Sequence, residues 1–123
     1  MNLLDSSGWL EYFADGPNAE HFAEPLERLD ELVVPTICLY EVFKVALREA
    51  GEAKALQAAA MMRRGKVVAI NEELAVRAAT ISHEQKLPLT DSIILATAQV
   101  YEAVIWTQDA HFKGKPLVKY FTK

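Results

Sequence analysis

The fold is decided by a pattern in residues 32–50, which read LVVPTICLYEVFKVALREA. Leu32 to Val34 form a short apolar run typical of a buried strand, and a proline follows directly. From Ile37 to Ala50, apolar side chains recur at helical spacing. This stretch therefore predicts a strand that passes almost directly into a helix.

The same alternation continues in both directions along the chain. Short apolar runs predict strands at residues 3–4, 32–34, 67–70, 104–106 and 117–118. Periodic stretches predict helices at residues 9–13, 19–29, 37–50, 52–62, 72–84 and 91–101. Strands that alternate with helices form a parallel sheet covered on both faces. We therefore expect an α/β fold of three layers with a five-stranded sheet.

Length and charge limit the domain count and the kinds of partner. The 123 residues are 51% hydrophobic, which predicts one compact domain over residues 1–123. Thirteen Lys and Arg against seventeen Asp and Glu give a net charge of −4. The net charge therefore does not predict a broad cationic surface, and a nucleic-acid partner would need a local cluster of positive charge.

The cysteine count and the first residues bear on compartment. Cys38 is the only cysteine, which excludes disulfides, CxxC redox motifs and thiolate zinc sites, and we expect it to be an inert buried thiol. Residues 1–9 include an acid and no basic leader. No apolar run approaches the roughly 20 residues that a membrane span requires. We expect a cytoplasmic protein with no membrane association.

Two aspartates come directly after predicted strands. Asp5 follows the first strand, and Asp109 follows the fourth. In a doubly wound parallel sheet, the carboxyl ends of the strands and the starts of the following helices share one edge, where ligands bind. Asp5 and Asp109 are therefore predicted to lie near this edge.

Two further acids are placed by the starts of helices. With Thr36 as N-cap, Glu41 falls in the second turn of its helix and points back toward the N-terminus. With Thr90 as N-cap, Asp91 falls in the first turn of the predicted helix at residues 91–101. All four acids can therefore reach one site.

Carboxylates gathered at one site need a compensating charge. Two of them 4 Å apart repel by about 4 kcal/mol at an effective dielectric constant near 20. Proton sharing is one solution, and a divalent cation is the other; Mg²⁺ or Mn²⁺ suits a site without His or Cys ligands. We favour the cation, which can activate water and stabilise charge on a phosphodiester. The sequence therefore favours phosphodiester hydrolysis.

Each acid also has a purely structural interpretation. Asp5 could cap the helix that follows it, and Asp91 could only complement a helix dipole. Asp109 could be an ordinary turn residue. Glu41 lies among apolar residues, so its structural alternative is an ion pair with a lysine.

Four segments resemble, in order and separation, the motifs of PIN-domain proteins, and specifically of the VapC-type toxin ribonucleases of type II toxin–antitoxin systems. These segments are DSSGWLEYF at 5–13, YEVF at 40–43, LPLTDSIILATA at 87–98 and WTQDAHF at 106–112. The resemblance covers essentially the whole chain. It implies a PIN-like sheet in the order 3-2-1-4-5, flanked by helices.

The resemblance also implies an activity, a metal and partners. It implies Mg²⁺- or Mn²⁺-dependent endoribonuclease activity and inhibition by a small cognate antitoxin whose tail enters the active-site groove. The catalytic and metal-binding roles carry over to four acids: Asp5, Glu41, Asp91 and Asp109. Ser6 and Thr107 stand where the family often places a hydroxyl beside these acids, so we expect them to support the site through hydrogen bonds.

Other charged and apolar features carry weaker signals. Lys44 and Arg48, spaced i, i+4 on the helix of Glu41, are candidate RNA contacts, with a solvated helix face as the alternative. His111 follows Asp109 by two residues, but no known His-metal spacing accompanies it, and we leave it outside the predicted site. The apolar residues 58–62 suggest a homodimer or a bound partner.

Two other classes of function remain open. A phospho-accepting receiver domain has a similar length and similar alternation, but it carries its acceptor Asp after the third strand, where this chain has Asn71. An inactive PIN-like binding module is the second alternative, and the four retained acids argue against it.

Overall fold

The structure is a computed structural model that describes residues 1–123. Its strands are β1 (Asn2–Leu4), β2 (Leu32–Pro35), β3 (Lys66–Val68), β4 (Val104–Thr107) and β5 (Val118–Tyr120). Its helices are α1 (Ser6–Phe13), α2 (Ala19–Ala23), α3 (Thr36–Ala50), α4 (Glu52–Met62), α5 (Glu72–Gln85) and α6 (Leu89–Tyr101). Short 3-10 helices cover Glu24–Glu27, Leu29–Glu31 and Ala110–Phe112. None of the helices has the length and apolar character needed to cross a bilayer.

The five strands form one parallel sheet in the order β3-β2-β1-β4-β5, which confirms the predicted fold class and strand order. β1 is central and pairs with β2 on one side and β4 on the other. The order therefore reverses between β1 and β4. This topological switch point is where α/β sheets bind ligands at their carboxyl edge.

The core places the ends of the acid-bearing segments. Leu3 and Leu4 of β1 and Val33 and Val34 of β2 are fully buried in the core. α6 is buried at every residue from Asp91 to Ala98, so its first turn is held against the sheet. The carboxyl edge of the sheet and the start of α6 are consequently fixed relative to each other.

Proline accounts for the main errors in the predicted helices. The predicted helix at residues 19–29 is wrong, because α2 ends at Ala23 and two 3-10 helices follow. Pro25 lacks an amide hydrogen, and its ring would clash with the carbonyl four residues earlier in an α-helix. The predicted strand at residues 67–70 is also too long at its end: β3 lies at the sheet edge, and Ile70 is 46% exposed beyond it.

The two predicted threonine caps are wrong by one or two residues. Pro35 is the cap residue of α3, and Pro88 is that of α6, so Thr36 and Thr90 lie inside the first turns. Both prolines have extended backbone, and the amide of Ser92 already donates to the carbonyl of Pro88 at 3.0 Å. Asp91 is nevertheless in the first turn of α6, as predicted.

Gly8 in α1 packs closely against Leu4 of β1 and Phe22 of α2. A Cβ there would lie 2.4 Å from Leu4 Cδ1 and 3.2 Å from Phe22 Cδ1, both in fully buried side chains. We expect Gly8→Ala to lower the free energy of unfolding by about 1–3 kcal/mol, as overpacking does, in a urea titration. Adding Leu4→Val should recover part of this loss. Strictly additive effects of the two substitutions would contradict the contact.

Candidate functional site

Asp5 lies at the carboxyl end of β1 and is 2% exposed. It is the N-cap of α1: its Oδ1 accepts hydrogen bonds from the Gly8 amide at 2.9 Å and the Ser7 hydroxyl at 2.8 Å. Its Oδ2 accepts from Thr107 Oγ1 at 2.6 Å. The capping role proposed for Asp5 is therefore real, and it keeps a carboxylate buried at the switch point.

Glu41 is joined to the same region through Ser6. The Ser6 hydroxyl donates to Glu41 Oε1 at 2.5 Å, and no Lys or Arg forms a salt bridge with Glu41. The alternative of a lysine ion pair for Glu41 is therefore wrong. Cys38 is fully buried beside Ser6, and burial raises the pKa of its thiol above the ordinary range. The thiol is accordingly held neutral.

A second group of ligand atoms lies at the other side of the switch point. Asp91, Asp109 and His111 offer atoms that all lie within 4.8 Å of one another. His111 Nδ1 is 2.7 Å from Asp91 Oδ2 and 3.2 Å from Asp109 Oδ1. Asp109 also caps the 3-10 helix that follows it, because its Oδ1 accepts from the His111 amide at 2.9 Å.

Thr107 connects the two groups. Its Oγ1 donates to Asp5 Oδ2 at 2.6 Å and accepts from the Asp109 amide at 2.8 Å. The structure thus brings Asp91 and Asp109 to ligand distance. Asp5 and Glu41 are not part of that three-residue group.

The electrostatics of the site show uncompensated negative charge. Burial raises the pKa of Asp5 from 3.8 to about 6, although hydrogen bonds from Thr107, Gly8 and Ser7 lower it. Burial, and then the charge of Asp109, raise the pKa of Asp91 from 3.8 to about 6, while His111 lowers it. Desolvation by burial is the largest cause of both shifts.

The residues present fit a divalent cation. None of the four acids has a Lys or Arg within salt-bridge distance; the only basic side chain that approaches them is the imidazole of His111, beside Asp91 and Asp109. Carboxylate oxygens are the donors that Mg²⁺ and Mn²⁺ take. A cation would therefore relieve both the repulsion and the desolvation.

Sequence reasoning missed two residues of the site. Ser7 donates to Asp5 and accepts from the Gln108 amide at 3.2 Å, so it helps to hold β1 and β4 together. His111 contacts both acids of the second group. The available signal was the spacing Asp109-Ala110-His111. An Asp that caps a tight turn accepts a hydrogen bond from the amide two positions later, which brings that residue close to the carboxylate.

The two candidate RNA contacts form no salt bridge with the acids of the site. Lys44 and Arg48 are exposed on α3. Lys44 Nζ is 5.6 Å from the Tyr40 ring centre, and Arg48 lies 3.4 Å from Glu49 Oε1. Neither contacts an acid of the site.

Comparisons with solved structures give the same fold. A toxin–antitoxin complex from Klebsiella pneumoniae contains a chain that is 25% identical, with a TM-score of 0.81 and 100% of each chain covered. The sarcin-ricin loop cleaving toxin VapC20 of Mycobacterium tuberculosis is 15% identical, with a TM-score of 0.78 over 94% of this chain and 95% of that one. VapBC2 from Rickettsia felis, bound to a DNA fragment from their promoter, is 15% identical, with a TM-score of 0.77 over 98% of this chain and 97% of that one.

The sequence itself identifies the family. No curated protein matches the chain. The sequence profile of the PIN domain, however, matches residues 3–116, which include all four acids and His111. The resemblance drawn from the motifs is confirmed at this level: the chain belongs to the PIN-domain family.

Proposed function

We propose that this chain is a Mg²⁺- or Mn²⁺-dependent endoribonuclease and the toxin of a toxin–antitoxin pair. The observation that carries the proposal is the gathering of buried acids without Lys or Arg at the switch point of a PIN-domain sheet. Asp5, Glu41, Asp91 and Asp109 are the proposed metal-site and catalytic residues, and Ser6 and Thr107 support them.

The contacts of several of these residues support specific tasks. When bound, the cation would activate a water molecule and offset charge on the phosphodiester. Asp91 and Asp109 would hold it, because their ligand atoms lie together. Thr107 and Ser7 fix the orientation of Asp5.

The toxin role rests on the nature of the structural neighbours. One neighbour is a toxin–antitoxin complex, one is a toxin that cleaves the sarcin-ricin loop, and one is a VapBC pair bound to DNA. By analogy we propose a structured cellular RNA as the substrate and a small antitoxin as the partner. Residues 1–123 would form one nuclease domain, acting as a homodimer in the cytoplasm.

RNA requires positive charge near the acids, although the chain has a net charge of −4. A surface depression of about 520 Å³ adjoins the site and includes Asp109, His111, Tyr120 and Lys123. Lys113 Nζ lies 5.7 Å from the centre of the Tyr120 ring at the same place. Lys113 and Lys123 therefore offer phosphate contacts beside a ring on which a base can stack.

We expect Lys113→Gln and Lys123→Gln each to weaken RNA binding and to flatten its salt dependence by about 0.7 in the slope of log K against log salt. Fluorescence anisotropy with single-stranded RNA would measure this in an Asp91→Asn background, which prevents cutting. Lys54→Gln on α4 is the control and should change nothing. An effect confined to Lys44→Gln and Arg48→Gln would instead place the RNA along α3.

The proposed activity is tested with purified protein and structured RNA. Cleavage should occur with Mg²⁺ or Mn²⁺ and stop with a chelator; cleavage that ignores the chelator would refute the mechanism. Mapping of new RNA ends after brief expression identifies the target. Co-expression of a small reading frame adjacent to this one should suppress growth arrest if it encodes the antitoxin.

The competing functions give different results in the same material. An inactive binding module would show no cleavage across varied RNAs and no thermal shift with metal. A receiver would gain the mass of a phosphate from a small phosphodonor. Asn71 opposes the receiver, because it caps α5 by accepting from the Leu74 amide at 2.9 Å.

A further inference from the structure

The turn after β4 holds His111 in a defined position. The Asp109 side chain accepts from the His111 amide, and the Asp109 carbonyl accepts from the Phe112 amide at 3.1 Å. Phe112 is fully buried and anchors the end of the turn in the core. The backbone of His111 is therefore fixed from both sides, although its side chain is 57% exposed.

The imidazole lies where a metal ligand would lie. His111 Nδ1 is 2.7 Å from Asp91 Oδ2 and 3.2 Å from Asp109 Oδ1. In an octahedral site with bonds of about 2.1 Å, neighbouring ligand atoms are about 3.0 Å apart. The two observed distances lie on either side of this value, so an ion that replaced the hydrogen bond between His111 and Asp91 could contact both of these atoms and Asp109 Oδ1.

The three side chains differ in their exposure, which suits a metal site that is closed by protein on one side and open to solvent on the other. The Asp91 side chain is 11% exposed, that of Asp109 is 29% exposed, and that of His111 is 57% exposed. Protein covers one side of the cluster, and the depression beside Tyr120 reaches Asp109 and His111 from the other. The open side leaves room for water and for a phosphate oxygen.

We propose that His111 is a third protein ligand of the metal held by Asp91 and Asp109, and that it shifts the preference of the site from Mg²⁺ toward transition ions. The inference rests on the proposed metal dependence. Mg²⁺ is a hard ion that takes oxygen ligands, whereas first-row transition ions also accept imidazole nitrogen. An all-carboxylate site would discriminate less against Mg²⁺ than this mixed set.

Mn²⁺ is the probe, and the readout is metal binding without RNA. Electron paramagnetic resonance of free Mn²⁺ gives the dissociation constant, and pulsed measurements detect a nitrogen bound to the ion. We expect nitrogen coupling in the native protein and its loss in His111→Ala, with Mn²⁺ binding at least about tenfold weaker. Mg²⁺ binding, measured by competition, should change much less. His111→Asn replaces nitrogen by oxygen and should lose the preference for Mn²⁺ but keep Mg²⁺ binding.

The control is His83→Ala, because His83 is exposed on α5 and contacts none of the acids. Mn²⁺ binding without nitrogen coupling in the native protein would overturn the proposal, as would tighter Mn²⁺ binding in His111→Ala, which would make His111 a counter-ion that the metal displaces. Parallel RNA assays separate the two hypotheses. Cleavage without nitrogen coupling would support the proposed nuclease and contradict the proposal that His111 is a metal ligand. Nitrogen coupling without cleavage of any RNA would support His111 as a metal ligand and contradict the proposed nuclease.

Discussion

We expect Asp91→Asn to lower the rate of RNA cleavage by well over 100-fold while the protein stays folded. Removal of a residue that only supports a metal ligand costs about 10- to 100-fold, so loss of a charged ligand should cost more. Asparagine keeps the shape of the side chain and an oxygen that can contact His111 Nδ1. The substitution also removes repulsion with Asp109, so the free energy of unfolding should not fall.

Single-turnover cleavage of a defined RNA with Mn²⁺ measures the rate, and urea unfolding checks the fold. The control is Glu102→Gln, at the exposed opposite end of α6, which should cleave like the native protein. If Asp91→Asn kept a rate within a few-fold of the native one, the acid cluster would not be the catalytic site. If the variant unfolded, Asp91→Glu would repeat the test with the charge retained and the ligand displaced.

The second large effect is a loss of stability with rising pH when metal is absent. Asp5 and Asp91 ordinarily titrate at 3.8, and both have a pKa of about 6 in the folded chain. Between these values the folded chain binds protons that the unfolded chain has released, so the free energy of unfolding falls as pH rises. The stabilisation is complete below pH 3.8 and is lost through about pH 6; for Asp5 it is worth about 3 kcal/mol.

Urea unfolding with a chelator, at several values between about pH 4 and pH 7, measures this dependence. Other groups contribute too, so the informative quantity is the difference between the native protein and Asp5→Asn. That difference should change by about 2–3 kcal/mol across the window, against no change for the exposed Asp30→Asn. Saturating Mn²⁺ near pH 7 should restore stability by about 3 kcal/mol at a hundred times its dissociation constant. Parallel pH profiles for Asp5→Asn and the native protein would contradict the burial of the Asp5 charge.

The strands and the positions of the acids could be predicted because they follow from local patterns. An apolar run that ends in Asp5, and an apolar helix that contains Glu41, each carry their information within about ten residues. Sheet topology then brings such positions to one edge. The family motifs supplied the strand order, which the structure confirms.

The parts that could not be predicted depend on contacts between distant segments. His111 approaches Asp91 across twenty positions of sequence, and this requires the exact depth at which α6 packs on the sheet. Ser7 reaches the Gln108 amide across 101 positions. The threonine caps failed for a local reason, because the prolines that precede them already begin the helices.

The central place of β1 determines when the site comes into existence during synthesis. β1 is made before β4, but its register with β4 pairs Asn2 with Val104 and Leu4 with Trp106. Thr107, which holds Asp5, and Asp109 follow only after that. A nascent chain that has not yet been extended to the end of β4 therefore carries Asp5 and Glu41 without Thr107 and Asp109, and its site is incomplete.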